Sequence, residues 1–93
     1  MKNSVKLVGI ICKQVFVTPE RTDFLLLVNH KGEESYIPCY TEGGNPYNLK
    51  LLDAVKVKGC IKSRKLATSS LDGKIVMEMF ANKVTILDDH DEV

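Results

Sequence analysis

Residues 54–65, AVKVKGCIKSRK, contain the clearest alternation of apolar and polar side chains in the chain. Successive side chains of a β-strand point to opposite faces, so one face of this segment carries Val55, Val57, Gly59 and Ile61. The other face carries Lys56, Lys58, Cys60, Lys62 and Arg64. The segment therefore predicts a strand with an apolar side toward a core and a basic side toward solvent, unless a bulge at Gly59 shifts the register.

Two stretches upstream also predict strands. Residues 4–17, SVKLVGIICKQVFV, are rich in β-branched residues. Gly9 lies inside this stretch, and a glycine inside a strand is typical of a bulge or a sharp bend. Residues 22–30, TDFLLLVNH, are apolar on both faces near their start, which indicates a central strand. The turn residues KGEE, 31–34, then predict a hairpin to the next strand.

Residues 35–42, SYIPCYTE, predict the third strand. Alternation places Ile37 and Cys39 toward a core and leaves Tyr36 and Tyr40 on the outside. Tyrosine is a ring on which a nucleobase can stack, so the outer side of this strand is a candidate binding surface.

A short helix is predicted between the third and fourth strands, in residues 43–54, GGNPYNLKLLDA. Asn45 suits an N-cap and Pro46 suits the first helical position. Leu49 and Leu52 lie three residues apart, on one face of such a helix.

The last third of the chain predicts a hairpin, a long strand and a charged tail. Residues 66–73, LATSSLDG, form a polar hairpin loop, and residues 74–87, KIVMEMFANKVTIL, form the fifth strand. Residues 88–93, DDHDEV, hold four of the twelve acidic residues and predict a short disordered tail. Thirteen basic and eight acidic residues remain in residues 1–87, a net charge of +5. This separation favours a polyanionic partner, nucleic acid first.

The order of elements is three strands, a short helix and two strands. We therefore predict an all-β OB fold in residues 1–87: a five-stranded Greek-key barrel with a short helix between strands 3 and 4. Such barrels bind ligands on the face of strands 2 and 3 and with the 1–2 and 4–5 loops. Another small β-barrel or a β-sandwich is the alternative.

Several function classes have little support in the sequence. No apolar run approaches the ~18 residues of a membrane span, so we expect a cytoplasmic protein without a membrane partner. Cys12, Cys39 and Cys60 fit neither a disulfide framework nor a zinc site, and we expect them to be buried. Because no nucleophile has a base beside it and no phosphate-binding glycine loop is present, we expect no enzyme, no metal or other cofactor and no small-molecule substrate.

Five motifs together resemble the bacterial single-stranded DNA-binding protein (SSB) family. They are KLVGII (6–11), TDFLLLVN (22–29), ESYIPCYTEG (34–43), LLDAVKVKGCIKSRK (51–65) and DGKIVMEMFANKVTIL (72–87). The resemblance spans residues 4–89. It implies an OB fold, dimers or tetramers, and sequence-tolerant binding of single-stranded DNA without catalysis, in replication, recombination or repair. The chain is also similar to PriB-type primosomal replication proteins, which are dimeric, bind single strands mainly through basic residues and dock other replication proteins.

The resemblance also implies which residues bind. Tyr36 matches a position where family members stack a base, and the basic strand matches at Lys56, Lys58, Lys62 and Arg64. With Tyr40, Lys65 and Lys74, these form the predicted nucleic-acid-binding set. The chain departs from the family because it has no Trp and because Glu42 and Leu66 stand where rings often occur.

Each of these features also has a structural interpretation. The lysines can form an ordinary solvated strand face. Tyr36 and Tyr40 can pack against a neighbouring subunit or cover a strand edge near Pro38, since a tyrosine buries its ring while its hydroxyl stays in water. Phe16 and Phe24 are expected in the core, whereas the side on which Phe80 lies stays open, because it shares its face with Val76 and Glu78. A protein-interaction module with a vestigial DNA surface is the alternative function.

Overall fold

The alternating segment at residues 54–65 forms one long strand of a closed sheet. The computed structural model describes residues 3–65 and 75–87, and only the backbone at 64 and 65. Its strands are β1 (Val5–Ile11), β2 (Phe16–Val17), β3 (Arg21–His30), β4 (Glu33–Glu42), β5 (Ala54–Lys65) and β6 (Ile75–Leu87). The predicted loop at 66–73 and the predicted tail at 88–93 lie outside the described residues.

The six strands form one sheet that closes on itself. Their order is β1-β5-β6-β4-β3-β2, and β1 also pairs with β3. The stretch predicted as a single first strand is divided into β1 and β2. Gly9 precedes the residues of β1 that pair with β3, and a Cβ at this position would collide with the carbonyl oxygen of Leu27. The close crossing that completes the barrel therefore requires glycine, at the position where the sequence predicted a bend.

The apolar sides of the strands meet inside the barrel. The buried hydrophobic residues are Ile11, Phe24, Leu26, Cys39, Leu49, Val55, Val57, Met79, Ala81 and Val84. The inward faces predicted for β4 and β5 are confirmed, because alternate residues of these strands contribute to this core. The prediction of an all-β barrel is also confirmed.

A bulge separates two halves of the β5–β6 ladder. Lys58 pairs with Lys83, whereas the next residue, Gly59, pairs with Ala81. Asn82 is therefore the extra residue, and it reverses the alternation of β6 while β5 keeps its own. A Cβ on Gly59 would collide with the carbonyl oxygen of Phe80, so the two strands approach this closely only because Gly59 has no side chain.

The predicted short helix is wrong, because residues 43–53 form a loop. Asn45, Asn48 and Leu52 have φ angles of 58°, 56° and 73°, in the left-handed region that a right-handed helix excludes. The Asn45 side chain accepts a hydrogen bond from the backbone N–H of Leu49 at 2.8 Å and donates one to its carbonyl at 3.1 Å. The asparagine expected to cap a helix thus fixes a loop, which places Leu49 in the core. Within the described ranges there is no helix long and apolar enough to cross a membrane.

Candidate nucleic-acid interface

Three aromatic side chains and one carboxylate line up across the outer surface of the barrel. Phe16 of β2 lies opposite Asp23 of β3, Asp23 lies opposite Tyr40 of β4, and Tyr40 pairs with Phe80 of β6. We call these four residues the aromatic row. The ring centroids of Tyr40 and Phe80 are 5.2 Å apart, and Phe16 is 69% exposed. The row therefore offers a partly open apolar surface across four strands.

Two cations lie against rings of this row. The guanidinium carbon of Arg21 is 4.0 Å from the centroid of Tyr40. The ammonium nitrogen of Lys62 is 4.5 Å from the centroid of Phe80. Both distances are within the range of cation–π attraction, so the predicted residue Lys62 lies where phosphate binding and base stacking can occur together.

Carboxylates hold Arg21 in place. Its Nε donates to Asp23 at 3.0 Å, and its Nη2 donates to the other oxygen of Asp23 and, at 3.0 Å, to Glu78. The hydrogen bond to Asp23 raises the pKa of the Arg21 guanidinium above its ordinary value; partial burial opposes this and Glu78 adds to it. Glu78 is itself almost buried, with 8% of its side chain exposed. The guanidinium is therefore fixed in orientation, and its charge is compensated locally.

The two predicted tyrosines occupy the outer face of β4, as the alternation indicated. Tyr36 lies opposite Leu27 and is 59% exposed. Tyr40 is half-buried between Arg21 and Phe80. The two tyrosines lie four positions apart along the strand, a distance of about 13 Å. Tyr36 is thus the freer ring, and the part of either ring in binding stays a prediction.

A second group of cations lies on the other side of the Asn82 bulge. Lys58 lies directly opposite Lys6 of β1 on one side and Lys83 of β6 on the other. We call these three exposed residues the lysine row, and Lys56 lies on the same face, two residues along β5. Like charges directly opposite each other destabilise a sheet. The ion pairs found among the described residues involve Arg21 and none of these lysines.

The predicted basic face of β5 is therefore divided. Lys62 joins the aromatic row, whereas Lys56 and Lys58 belong with the lysine row. The side chains of Arg64 and Lys65, and the whole of Lys74, lie outside the described residues.

An open groove of about 290 Å³ lies at the Phe16 end of the aromatic row. The residues that line it are Lys13, Gln14, Phe16, Asp23, Phe24, Leu25, Pro38 and Cys39. It lies between the connection from β1 to β3 and the β3–β4 face, which are two of the elements by which OB barrels hold ligands.

The thiol of Cys39 is not activated as a nucleophile. Burial raises the pKa of Cys39 to about 12, and the negative charge of Glu78 adds to the shift. The thiol therefore stays protonated at neutral pH. Cys39 is buried as expected, whereas Cys12 and Cys60 are only half-buried. No group of three metal-binding side chains occurs in residues 3–65 and 75–87.

Solved structures share this fold. The chain is similar to the dimeric N-terminal domain of PriB from Thermoanaerobacter tencongensis, with a TM-score of 0.71 and 19% identity over 94% of this chain and 98% of that one. It is also similar to the Plasmodium falciparum SSB in complex with ssDNA, with a TM-score of 0.79 and 15% identity over 95% and 97% of the two chains. No family model and no curated protein sequence matches. The OB fold is thus confirmed, and the resemblance to SSB and PriB holds at the level of the fold.

Several residues of this surface were not predicted. Phe16 was expected in the core and is exposed, because β2 contains only two residues and its outer side has no cover. Phe80 is half-buried on the outer face, whereas Phe24 is buried as expected. Alternation along residues 4–17 places Phe16 on the same face as the charged Lys6, which could have indicated that Phe16 is exposed. Arg21, Lys6 and Lys83 gave no such signal, because their placement depends on pairing between distant strands.

Proposed function

We propose that the chain binds single-stranded DNA with little sequence preference, in replication, recombination or repair. The observation that carries the proposal is the aromatic row on the β3–β4 side of an OB barrel, with Lys62 and Arg21 against its rings. Single-strand binders combine stacking rings with a cationic path for the phosphates. The complex of the similarly folded Plasmodium falciparum SSB with ssDNA supports the same ligand class.

Binding draws on two kinds of contact in this proposal. Bases stack on Tyr36 and on the accessible parts of the aromatic row. Phosphates pass over Lys62 and the lysine row, where they release counterions. For single strands the logarithm of the binding constant falls with the logarithm of salt concentration by about 0.7 per neutralised phosphate.

We also propose that the chain acts as a homo-oligomer. A barrel of 93 residues hides a modest fraction of its surface. Val8 and Ile10 are exposed on the outer face of β1, and further burial there would add stability. The PriB domain with a similar fold is described as dimeric. Mass measurement in solution tests this independently of DNA binding.

Tyr36→Ala tests the stacking half of the proposal. We expect the variant to bind labelled oligothymidine about 1–3 kcal/mol more weakly than the parent, because one stacked base is lost. The salt slope and the melting temperature should stay the same, since Tyr36 is exposed and uncharged. Fluorescence anisotropy over a salt series measures the affinity and the slope.

The matched control is Leu51→Ala, which removes an exposed apolar side chain from the loop at residues 43–53. It should bind like the parent. Unchanged binding by a folded Tyr36→Ala variant would remove this ring from the site. Failure of the parent to prefer single strands over duplex at low salt would overturn the proposed function itself.

A further inference from the structure

The groove at the Phe16 end of the aromatic row combines an apolar wall with a fixed acceptor. Phe16 and Asp23 are directly opposed residues of β2 and β3. The phenyl ring is largely exposed, and 40% of the Asp23 side chain is exposed. Leu25 and Pro38, another opposed pair, form apolar wall next to them. A flat ring entering the groove would meet apolar surface and a carboxylate together.

Asp23 keeps acceptor capacity although it pairs with Arg21. Each of its two oxygens accepts one hydrogen bond from the guanidinium. A carboxylate has about four lone-pair sites, so each oxygen can accept a further bond. Arg21 also holds the carboxylate in one orientation, which lowers the entropy lost when a ligand binds. Lys13 and Gln14, on the other side, are exposed side chains without such anchoring.

We infer that this groove binds one nucleobase and favours bases with an exocyclic amino group, so that cytosine binds better than thymine. The inference rests on the proposed function and refines it. A carboxylate accepts a hydrogen bond from the N4 amino group of cytosine. Thymine presents its O4 acceptor in the corresponding place, where two acceptors face each other. One such subsite gives a modest preference within a sequence-tolerant binder.

The experiment compares two pyrimidine oligomers, so that stacking area differs little. Labelled oligodeoxycytidine and oligodeoxythymidine of about twelve nucleotides are titrated with the parent protein at one salt concentration, at a pH where cytosine is neutral. We expect the cytidine oligomer to bind about three- to tenfold more tightly, the effect of one hydrogen bond of ordinary strength to a partly exposed acceptor. Asp23→Asn should remove the preference, because an amide can accept or donate and so accommodates both bases.

Glu78→Gln is the matched control. It removes the other carboxylate on Arg21 and leaves the groove walls unchanged, so the ratio of the two affinities should persist. A third oligomer, of 2-pyrimidinone nucleotides, lacks the amino group and needs no variant. It should bind the parent more weakly than the cytidine oligomer, which keeps the test valid if Asp23→Asn does not fold.

Each outcome decides the inference. Equal binding of the cytidine and thymidine oligomers overturns it and leaves the proposed function intact. The inference is also overturned if the preference survives in Asp23→Asn or disappears in Glu78→Gln. It is overturned as well if the 2-pyrimidinone oligomer binds the parent as tightly as the cytidine oligomer does. The inference is supported if the preference is lost only when Asp23 is replaced or when the base lacks the amino group. Absence of binding to any single strand overturns the proposed function, and the inference with it.

Discussion

The aromatic row and the lysine row lie on the same barrel, on opposite sides of the Asn82 bulge, and the charges in the two regions are treated in opposite ways. Beside the aromatic row, Arg21 is neutralised by Asp23 and Glu78 and lies against the ring of Tyr40. In the lysine row, Lys6, Lys58 and Lys83 are placed side by side across three strands. One region is built to present flat surfaces, and the other to present uncompensated charge.

The difference indicates how binding free energy is divided along the surface. Stacking depends little on salt, whereas phosphate contacts weaken steeply as salt rises. The Asn82 bulge and Gly59 opposite it, which we call the boundary, lie between the two rows and fix their spacing. Variants at the boundary, in the lysine row and in the aromatic row should therefore have separable effects.

The largest expected effect is that of Gly59→Ala, which disturbs the boundary itself. Its Cβ would collide with the backbone of Phe80, and a backbone carbonyl cannot move aside as a flexible side chain can. We expect a loss of about 3 kcal/mol in the free energy of unfolding, the upper range for overpacking. Chemical denaturation measures this loss.

Gly44→Ala is the control for the boundary variant. Its Cβ would meet its nearest atom, the carbonyl oxygen of Thr18, at 3.5 Å, an ordinary contact. Its stability should stay within about 0.5 kcal/mol of the parent. Equal stability of the two variants would show that the strands can separate at the bulge without loss, so that the boundary is not rigid.

The next effect concerns the lysine row. Changing Lys6, Lys58 and Lys83 together to Gln should lower the salt slope of single-strand binding by about 2, since three cations contribute about 0.7 each. The melting temperature should not fall, because the substitution removes repulsion between opposed like charges. A salt series and a thermal melt measure both quantities.

A double variant of Lys31 and Lys50 to Gln is the control for charge alone. Both lysines are exposed and lie outside the two rows. Their removal should change the slope much less than that of the lysine row. An equal change per charge in the two variants would mean that net charge, rather than the row, determines binding.

The smallest effect should come from Glu78→Gln, which leaves more uncompensated positive charge beside the aromatic row, as in the lysine row. Arg21 then faces one carboxylate instead of two, so part of its charge becomes available to phosphate. We expect the salt slope to rise by up to about 0.7 and binding at low salt to tighten. An unchanged slope, measured in the same salt series, would show that Arg21 does not face the phosphate path and acts only on Tyr40.

Much of the fold could be predicted from local patterns. The alternation in residues 54–65 placed Val55 and Val57 inside, and the alternation in residues 35–42 placed Cys39 inside and Tyr36 outside. These predictions succeeded because a strand buried on one face must repeat every second residue. The helix prediction failed at Asn45, because its side chain satisfies the backbone of a loop as well as that of a helix end.

The candidate site was harder to predict because it depends on register between strands distant in sequence. Tyr40 and Lys62 could be chosen by residue type and face. A bulge determines that Lys62 lies against Phe80 and that Lys58 lies between two other lysines. Alternation alone does not reveal the position of this bulge. Arg21 was missed for the same reason, since its partner Glu78 is 57 residues away along the chain.

The extra residue in β6 makes the chain unequally tolerant of two kinds of sequence change. The Asn82 side chain is exposed, and the contact that Tyr47 makes there is with its backbone carbonyl, at 2.9 Å. Many residues could therefore replace Asn82 during evolution. Insertion of one further residue beside it would instead turn Val84 outward and Lys83 into the core, because every later side chain of β6 would change face. Relatives of this protein should vary in residue type at this position and carry no additional residue beside it.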